Sequence, residues 1–283
     1  MPTTITVAKH EGIATLTFES SDGLHVLSRA TMEALRDALE AVSRDVAVQA
    51  LVLTGAGQRV FSAGADLREL LELDGERAVA YSEFGQGVAQ AIARYPVPTF
   101  AALNGPVYGG GIELSLACDF RIAVPECLFH YQAAKLGLLP GWGGTQRLPL
   151  LIGRSRAKSM MLMCRPVSAD EALDWGLVDD LSHGMDLTDC VAGWTEKLTA
   201  MDRQSAIQIK RAIDLGHHGD FIGEREAFAA CFAGERTQRR IRDWLARAKD
   251  GRTAAGLPSS SGHPSSLDAA QAAVSVPGAS GTA

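Results

Sequence analysis

Aromatic residues make up only 6% of this 283-residue chain. No apolar run approaches the roughly 20 residues that a helix needs to cross a bilayer, so no membrane-spanning helix is expected. Positive charge is in deficit, 27 Lys and Arg against 33 Asp and Glu, for a formal net charge of −6. Such a balance argues against non-specific binding to nucleic acid or to an anionic membrane. Cysteine is sparse and odd in number: Cys118, Cys127, Cys164, Cys190 and Cys231 stand far apart, with no CxxC pair. Reduced, buried thiols are expected, not a disulfide framework or a zinc site. The seven histidines include no HExxH, and His217-His218 falls in a polar loop, so no metal centre is expected. The chain has no GxSxG elbow, which leaves Ser62, Ser115 and His130 a weak basis for a Ser–His–Asp hydrolase. Its first residues, MPTTITVAKHEG, alternate like a strand without the basic and apolar blocks of a secretory leader, and a cytoplasmic location is expected.

What is present describes a globular α/β protein. Hydrophobic residues reach 46% and charged ones 21%, enough for a large core. Residues 5–19 read as a hairpin around Glu11-Gly12, and 28–43 as a helix with Ser28 as N-cap. Strand, helix and strand follow at 48–54, 76–94 and 97–103. A helix at 111–118 precedes short strands near 120–124 and 128–131, then helices at 145–151 and 154–163. Strands separated by helices imply mostly parallel pairing with right-handed crossovers. From about 190 onward the pattern is helical. Residues 250–283 are rich in Ser, Gly, Pro and Ala, a composition that predicts a disordered tail.

Three glycine-rich segments carry the chemistry. In NGPVYGGGIELSLACD (104–119), three glycines lead into a helix with one carboxylate, Glu113, in its first turn. Helix-start amides are unpaired donors, and glycine lets a substrate approach the backbone. Such donors facing a developing negative charge, beside a carboxylate, suit enolate chemistry on a carbonyl compound. A tight packing turn before a buried helix would leave the same trace. LVLTGAGQRVFSAGADLRE (51–69) gives a second strand, loop and helix start, and KLGLLPGWGGTQR (135–147) a glycine-rich loop running into a further helix.

Taken in order, SAGADL (62–67), NGPVYGGGIELSLACDFRIA (104–123) and KLGLLPGWGGTQRLPLLIG (135–153) resemble the crotonase, or enoyl-CoA hydratase/isomerase, superfamily. VSADEALDWGLVD (167–179) and AFAACFAGERTQRRIRDWLARAK (227–249) extend the resemblance over about residues 3–249. It implies a core of repeated ββα turns coiled into a spiral over residues 1–190. A C-terminal helical domain over 191–249, through which relatives form a homotrimer or dimer of trimers, would follow. It implies an acyl-CoA thioester substrate, with coenzyme A part of the substrate and no further cofactor. The amides of Ala65 and Gly110 would form the oxyanion hole. Glu113 occupies the position of the family's first catalytic glutamate. The substrate-binding loop of Ser62, Ala63, Gly64, Asp66 and Leu67 would lie against the adenine end of coenzyme A, and Arg68, Arg247 and Lys249 could meet its phosphates.

One departure alters the expectation. Hydratases of this family carry a second glutamate in a segment of the form FGQPEVKLG. Here the segment reads FHYQAAKLG, and Ala133 stands at the glutamate's position. Alanine moves no proton, and loss of one such group costs on the order of 10²–10⁴ in rate. Tyr131 shares the parity of Ala133 on an extended strand and is the candidate replacement. His130 would point to the other face. Tyr108 and Trp142 would shape the acyl pocket. Hydration or double-bond isomerisation with one glutamate fits this set. Decarboxylation of a malonyl-type thioester on CoA or a carrier protein, or acyl-CoA binding without turnover, are the alternatives.

Overall fold

The computed structural model describes residues 2–215, 222–232 and 235–249. The expected tail at 250–283 and the His217-His218 loop lie outside the described residues. The chain parts into two compact units, the first running to Cys231 and the second beginning at Phe232.

In chain order the first unit contains β1 (Thr4–His10), β2 (Ile13–Glu19), β3 (Val26–Leu27), α1 (Arg29–Ser43), β4 (Ala50–Gly55), β5 (Gly64–Ala65), α2 (Leu67–Leu71) and α3 (Gly75–Ala93). Then come β6 (Thr99–Leu103), β7 (Val107–Tyr108), α4 (Gly110–Ser115), β8 (Phe120–Ala123) and β9 (Leu128–His130). A 3₁₀ turn follows at Ala133–Leu136, before α5 (Gly144–Ile152), α6 (Arg154–Leu162), β10 (Val167–Ser168), α7 (Ala169–Asp174) and β11 (Asp180–Leu181). Helices α8 (Leu187–Thr199), α9 (Arg203–Leu215) and α10 (Ile222–Ala230) end the unit. The second unit contributes α11 (Arg236–Lys249).

The hairpin forms where Glu11-Gly12 places two successive residues at positive φ, 46° and 81°, the backbone that matches strand twist in a two-residue turn. Ser28 caps α1 by accepting the Thr31 amide. Strands β1-β2-β4-β6-β8-β11 form the main sheet in that order, antiparallel at β1/β2 and parallel elsewhere. Each ββα repeat adds one strand to this sheet and one short strand to a second layer. That layer pairs β3 with β5, and β9 with β7 on one side and β10 on the other, and a bridge from Ser62 to Val107 joins the two parts. One face of the main sheet packs on α1, α3 and α4 through Leu16, Leu35, Leu53, Ile92 and Leu114. The other packs on α8, with Val191 against Val52, Phe100 and Ile122.

Helices α8 and α9 therefore belong to the first unit. Arg203 donates to the Val48 carbonyl at 2.8 Å, and buried Lys210 pairs with Asp119. The break after Cys231 differs from the expected 190/191, because a helical run in sequence does not reveal that its first members cover a sheet face. The spans 128–131 and 111–118 also come out shorter, at Leu128–His130 and Gly110–Ser115.

Candidate active site

The second layer positions the site. Its parallel strands β5, β7 and β9 lie side by side, and each runs directly into a loop or helix: β5 into α2, β7 into α4, β9 into the 3₁₀ turn. The three glycine-rich segments, well separated in sequence, thus meet at one rim of the fold. Tyr108 N–H donates to the Ser62 carbonyl at 3.0 Å, which stitches the first two segments together. A Cβ on Gly64 would stand 3.1 Å from the Tyr108 carbonyl oxygen and 3.6 Å from the Gly110 nitrogen. Gly109 enters α4 at φ 45°, ψ −113°, a backbone only glycine adopts readily. The Gly110 amide, first in its helix, finds no acceptor among the described residues.

Glu113 is 3% exposed and held from below. Its Oε1 accepts the Trp142 amide at 2.7 Å and the Gly144 amide at 2.8 Å. Oε2 takes no hydrogen bond among the described residues. Burial pushes the carboxyl up to about 7, against the downward pull of the two amides and of the Arg147 guanidinium. Arg147 reaches this position by donating to the Trp142 carbonyl at 3.2 Å and to Gln90 at 3.1 Å. A carboxyl with that value exchanges protons near neutral pH, in either direction.

Tyr131 is buried beside it. A methyl on Gly144 would meet the Tyr131 hydroxyl at 2.6 Å and Glu113 Oε1 at 3.1 Å, so both acids lie against the same glycine. The hydroxyl has no partner among the described residues. Burial, with the neighbouring Glu113 charge second, raises its pKa and keeps it a neutral donor. His130 lines the same cleft as Tyr131, contrary to the expected split between faces. Strand β9 ends at His130, so alternation no longer governs the next residue. The His130 ring is already engaged, Nε2 with the Cys164 carbonyl at 3.1 Å and Nδ1 with Gln132 at 3.4 Å.

Trp142 closes one wall. Its ring lies on two glycines, where a Cβ on Gly85 or Gly110 would stand 2.1 or 2.3 Å from it, and its centroid is 5.7 Å from that of Tyr81. The bulky side chain is accommodated by missing side chains opposite and leaves a cleft of about 1020 Å³ open. Ala63, Gly64, Ala65, Leu67, Tyr108, Gly110, Glu113, Tyr131, Ala133 and Trp142 all line it. Ser62 and Asp66 do not. Ser62, fully buried, donates to the His25 carbonyl at 3.0 Å and accepts the Gly64 amide, so it braces the loop from behind. Asp66 caps α2 by accepting the Arg68 amide at 2.9 Å. Ser115 is committed to the Ile112 carbonyl, so neither candidate serine is poised as a nucleophile for His130. Arg68 is exposed and faces Asp66 at 3.4 Å, and the side chains of Arg247 and Lys249 lie outside the described residues.

Helix α3 was absent from the sequence-based site, yet Tyr81, Ser82 and Gln86 form its far wall. Ser82 and Gln86 both donate to the Gly141 carbonyl, at 2.6 and 3.0 Å, and thereby hold the third glycine loop. No residue pattern marked them. Arg147 and the Trp142 and Gly144 amides were likewise missed as the cradle of Glu113. Among the described residues no cluster of His, Cys, Asp and Glu could hold a metal ion, and no helix is long and apolar enough to cross a membrane.

Comparison with known proteins gives one answer throughout. The family profile described as enoyl-CoA hydratase/isomerase matches residues 8–239. The chain is similar to a crotonyl-CoA hydratase of Syntrophomonas wolfei, 33% identical over 87% of this chain and 96% of that one. It is also similar to a short-chain-enoyl-CoA hydratase of Clostridium acetobutylicum, 32% identical over 82% and 90%. Among solved structures, Pseudomonas aeruginosa DspI superposes with a TM-score of 0.81 at 32% identity, over 86% of this chain and 94% of that chain. The enoyl-CoA hydratase of Bacillus anthracis does so at 0.79 and 31%, over 88% and 97%.

Proposed function

The chain belongs to the enoyl-CoA hydratase/isomerase family and is an acyl-CoA enzyme of that type; from that premise we propose that it adds and removes water across, or moves, the double bond of an enoyl thioester with one catalytic carboxylate, Glu113. The observation that carries this reading is Glu113 itself, buried in the cleft with a value near neutrality and one oxygen unoccupied by protein donors among the described residues. The remaining carboxylate of the lining, Glu83, is solvent-exposed.

In this reading the amides of Ala65 and Gly110 grip the thioester oxygen. Two such donors in a dry site contribute about 3 kcal/mol each to stabilising the enolate. The adjacency of Gly64 to Gly110 supports placing them together. In hydration Glu113, as carboxylate, takes a proton from the attacking water and delivers it to the carbon next to the carbonyl; in isomerisation it takes the proton from that carbon and delivers it two carbons along, as the double bond moves between them. Ala133 removes the second carboxylate of a two-glutamate hydratase. The unpartnered hydroxyl of Tyr131 supplies a neutral donor beside Glu113 in its place, holding the attacking water or the migrating proton. Tyr108 and Trp142 shape the walls, and Ala63, Gly64 and Leu67 lie along the thioester arm. No cofactor beyond the coenzyme A of the substrate enters this scheme. We assign the enzyme to the cytoplasm as a homotrimer or dimer of trimers; exposed Leu150, Leu162 and Met163 at α5 and α6 support a further copy covering that surface.

The test is turnover of crotonyl-CoA, a 3-enoyl-CoA and methylmalonyl-CoA, with products resolved by mass. Water addition to the first or double-bond shift in the second is expected. Loss of carbon dioxide from the third, with the other two untouched, would replace the reading with decarboxylation.

A further inference from the structure

The cleft has a second property that the position of Glu113 does not require. Two groups of large aliphatic side chains in its lining form its lips. Leu70, Leu73 and Val79 come from α2, the link after it and the start of α3, and Leu136, Leu138 and Leu139 come from the 3₁₀ turn and the loop after it. Several of them stand in solvent, Leu139 at 71% and Val79 at 59% exposure. Single exposed leucines are ordinary on a protein surface, but six aliphatic side chains lining one cleft form a concave apolar surface of the kind that ligands cover.

Charge restricts the occupant further. The described residues of the lining include no Lys and no Arg, while Glu83 and Glu113 are both present. Arg147, the nearest cation to Glu113, is turned to the Trp142 carbonyl and Gln90. A carboxylate on the far end of an acyl group would therefore lie unpaired between aliphatic walls and next to two acidic side chains, an arrangement that desolvation and repulsion both oppose. An uncharged hydrocarbon chain would gain from every methylene it buries.

We infer that the acyl group this enzyme takes is an uncharged aliphatic chain of medium length, longer than four carbons, lying between the leucines of the two lips. This rests on the thioester reading above and adds the substrate class. Acyl groups ending in a second carboxylate, malonyl-type thioesters included, are excluded by the same walls.

Binding can be measured apart from chemistry, using saturated thioesters that cannot turn over. Isothermal titration with butyryl-, octanoyl- and glutaryl-CoA should give octanoyl-CoA at least tenfold tighter than butyryl-CoA, since each buried methylene is worth about a factor of 4. Glutaryl-CoA should bind more weakly than butyryl-CoA. In the variant Leu139→Asp, or in Val79→Asp if the first fails to fold, the octanoyl-to-butyryl ratio should fall at least fivefold. Equal constants for the two chain lengths, a ratio unmoved by both variants, or glutaryl-CoA as the tightest ligand would overturn the inference while leaving Glu113-dependent turnover intact. Graded binding without turnover of any enoyl thioester would uphold the inference and remove the catalytic reading. No binding by any of the three would remove both.

Discussion

Replacing Glu113 by Gln isolates the carboxylate from its scaffold. The glutamine carbonyl can still accept the Trp142 and Gly144 amides that now bond Oε1 at 2.7 and 2.8 Å. Its NH₂ takes the place of Oε2, which has no hydrogen-bond partner among the described residues, so the cradle survives and the proton acceptor is lost. Removal of a positioned general base costs about 10²–10⁴ in rate, or about 3–5 kcal/mol of barrier. The loss should fall on kcat, with KM little changed, because the group acts on the reacting atoms and not on the bound arm. The wild-type profile carries a second signature. With its pKa at about 7, the carboxylate that accepts the proton predominates only above neutrality. In the hydration direction kcat/KM should rise with pH, bend near 7 and level off, and the variant's residual rate should show no such bend. Following the enoyl thioester chromophore between about pH 5 and 9 measures both. A variant that melts like the wild type and keeps its rate within about tenfold, or a wild-type profile flat through pH 7, would refute the reasoning.

The same carboxyl makes stability depend on pH. Its folded-state value lies above the 4.5 of the free side chain, so the folded protein holds the proton more tightly. The associated stability, about 3 kcal/mol, is present below pH 4.5 and is lost as pH rises to about 7; urea unfolding at several pH values should show this slope in the wild type and not in Glu113→Gln. Tyr131→Phe removes a buried hydroxyl without a partner and should cost at least tenfold in kcat with unchanged or raised stability; a fall in stability with full activity would make Tyr131 a packing residue only. Gly110→Ala would drive a methyl to 2.3 Å from the Trp142 ring, displacing the amide proposed to grip the thioester, and should lower kcat by about 10²–10³; steady-state kinetics at saturating substrate would check it. Lys210→Met strands Asp119 partly buried with only its Thr99 contacts and should cost about 3 kcal/mol in denaturant unfolding, without altering the pH–rate profile.

The site was legible in the sequence where local chemistry is written in consecutive residues. The loop before Leu67, the glycines before Glu113 and the third glycine loop each announce a helix entrance, and the fold brings them to adjacent strands of one layer. Hairpin, Ser28 cap and main-sheet strands were likewise readable, since each depends on residues near in sequence. What escaped depends on long-range packing. Tyr81, Ser82 and Gln86 sit on a helix whose apolar pattern marks the core face and says nothing of the opposite one. Strands β10 and β11 have two residues each, too few for alternation. Ser62 and Asp66 were expected at the substrate with the rest of their loop, yet neither lines the cleft: one braces the backbone and the other caps α2. Even the strand parity used for His130 and Tyr131 failed for a local reason, the end of β9 between them.

The central claim is that one carboxylate moves a proton to and from the carbon next to a thioester carbonyl. Deuterium oxide reports this directly. A trans-2-enoyl-CoA incubated with the enzyme in that solvent, its product isolated and read by mass and NMR, should carry one deuteron on the carbon next to the carbonyl or at the migrated position, and Glu113→Gln should leave the substrate unlabelled. Hydrated product without solvent deuterium on the carbon chain, or label that persists undiminished in Glu113→Gln, would contradict the account.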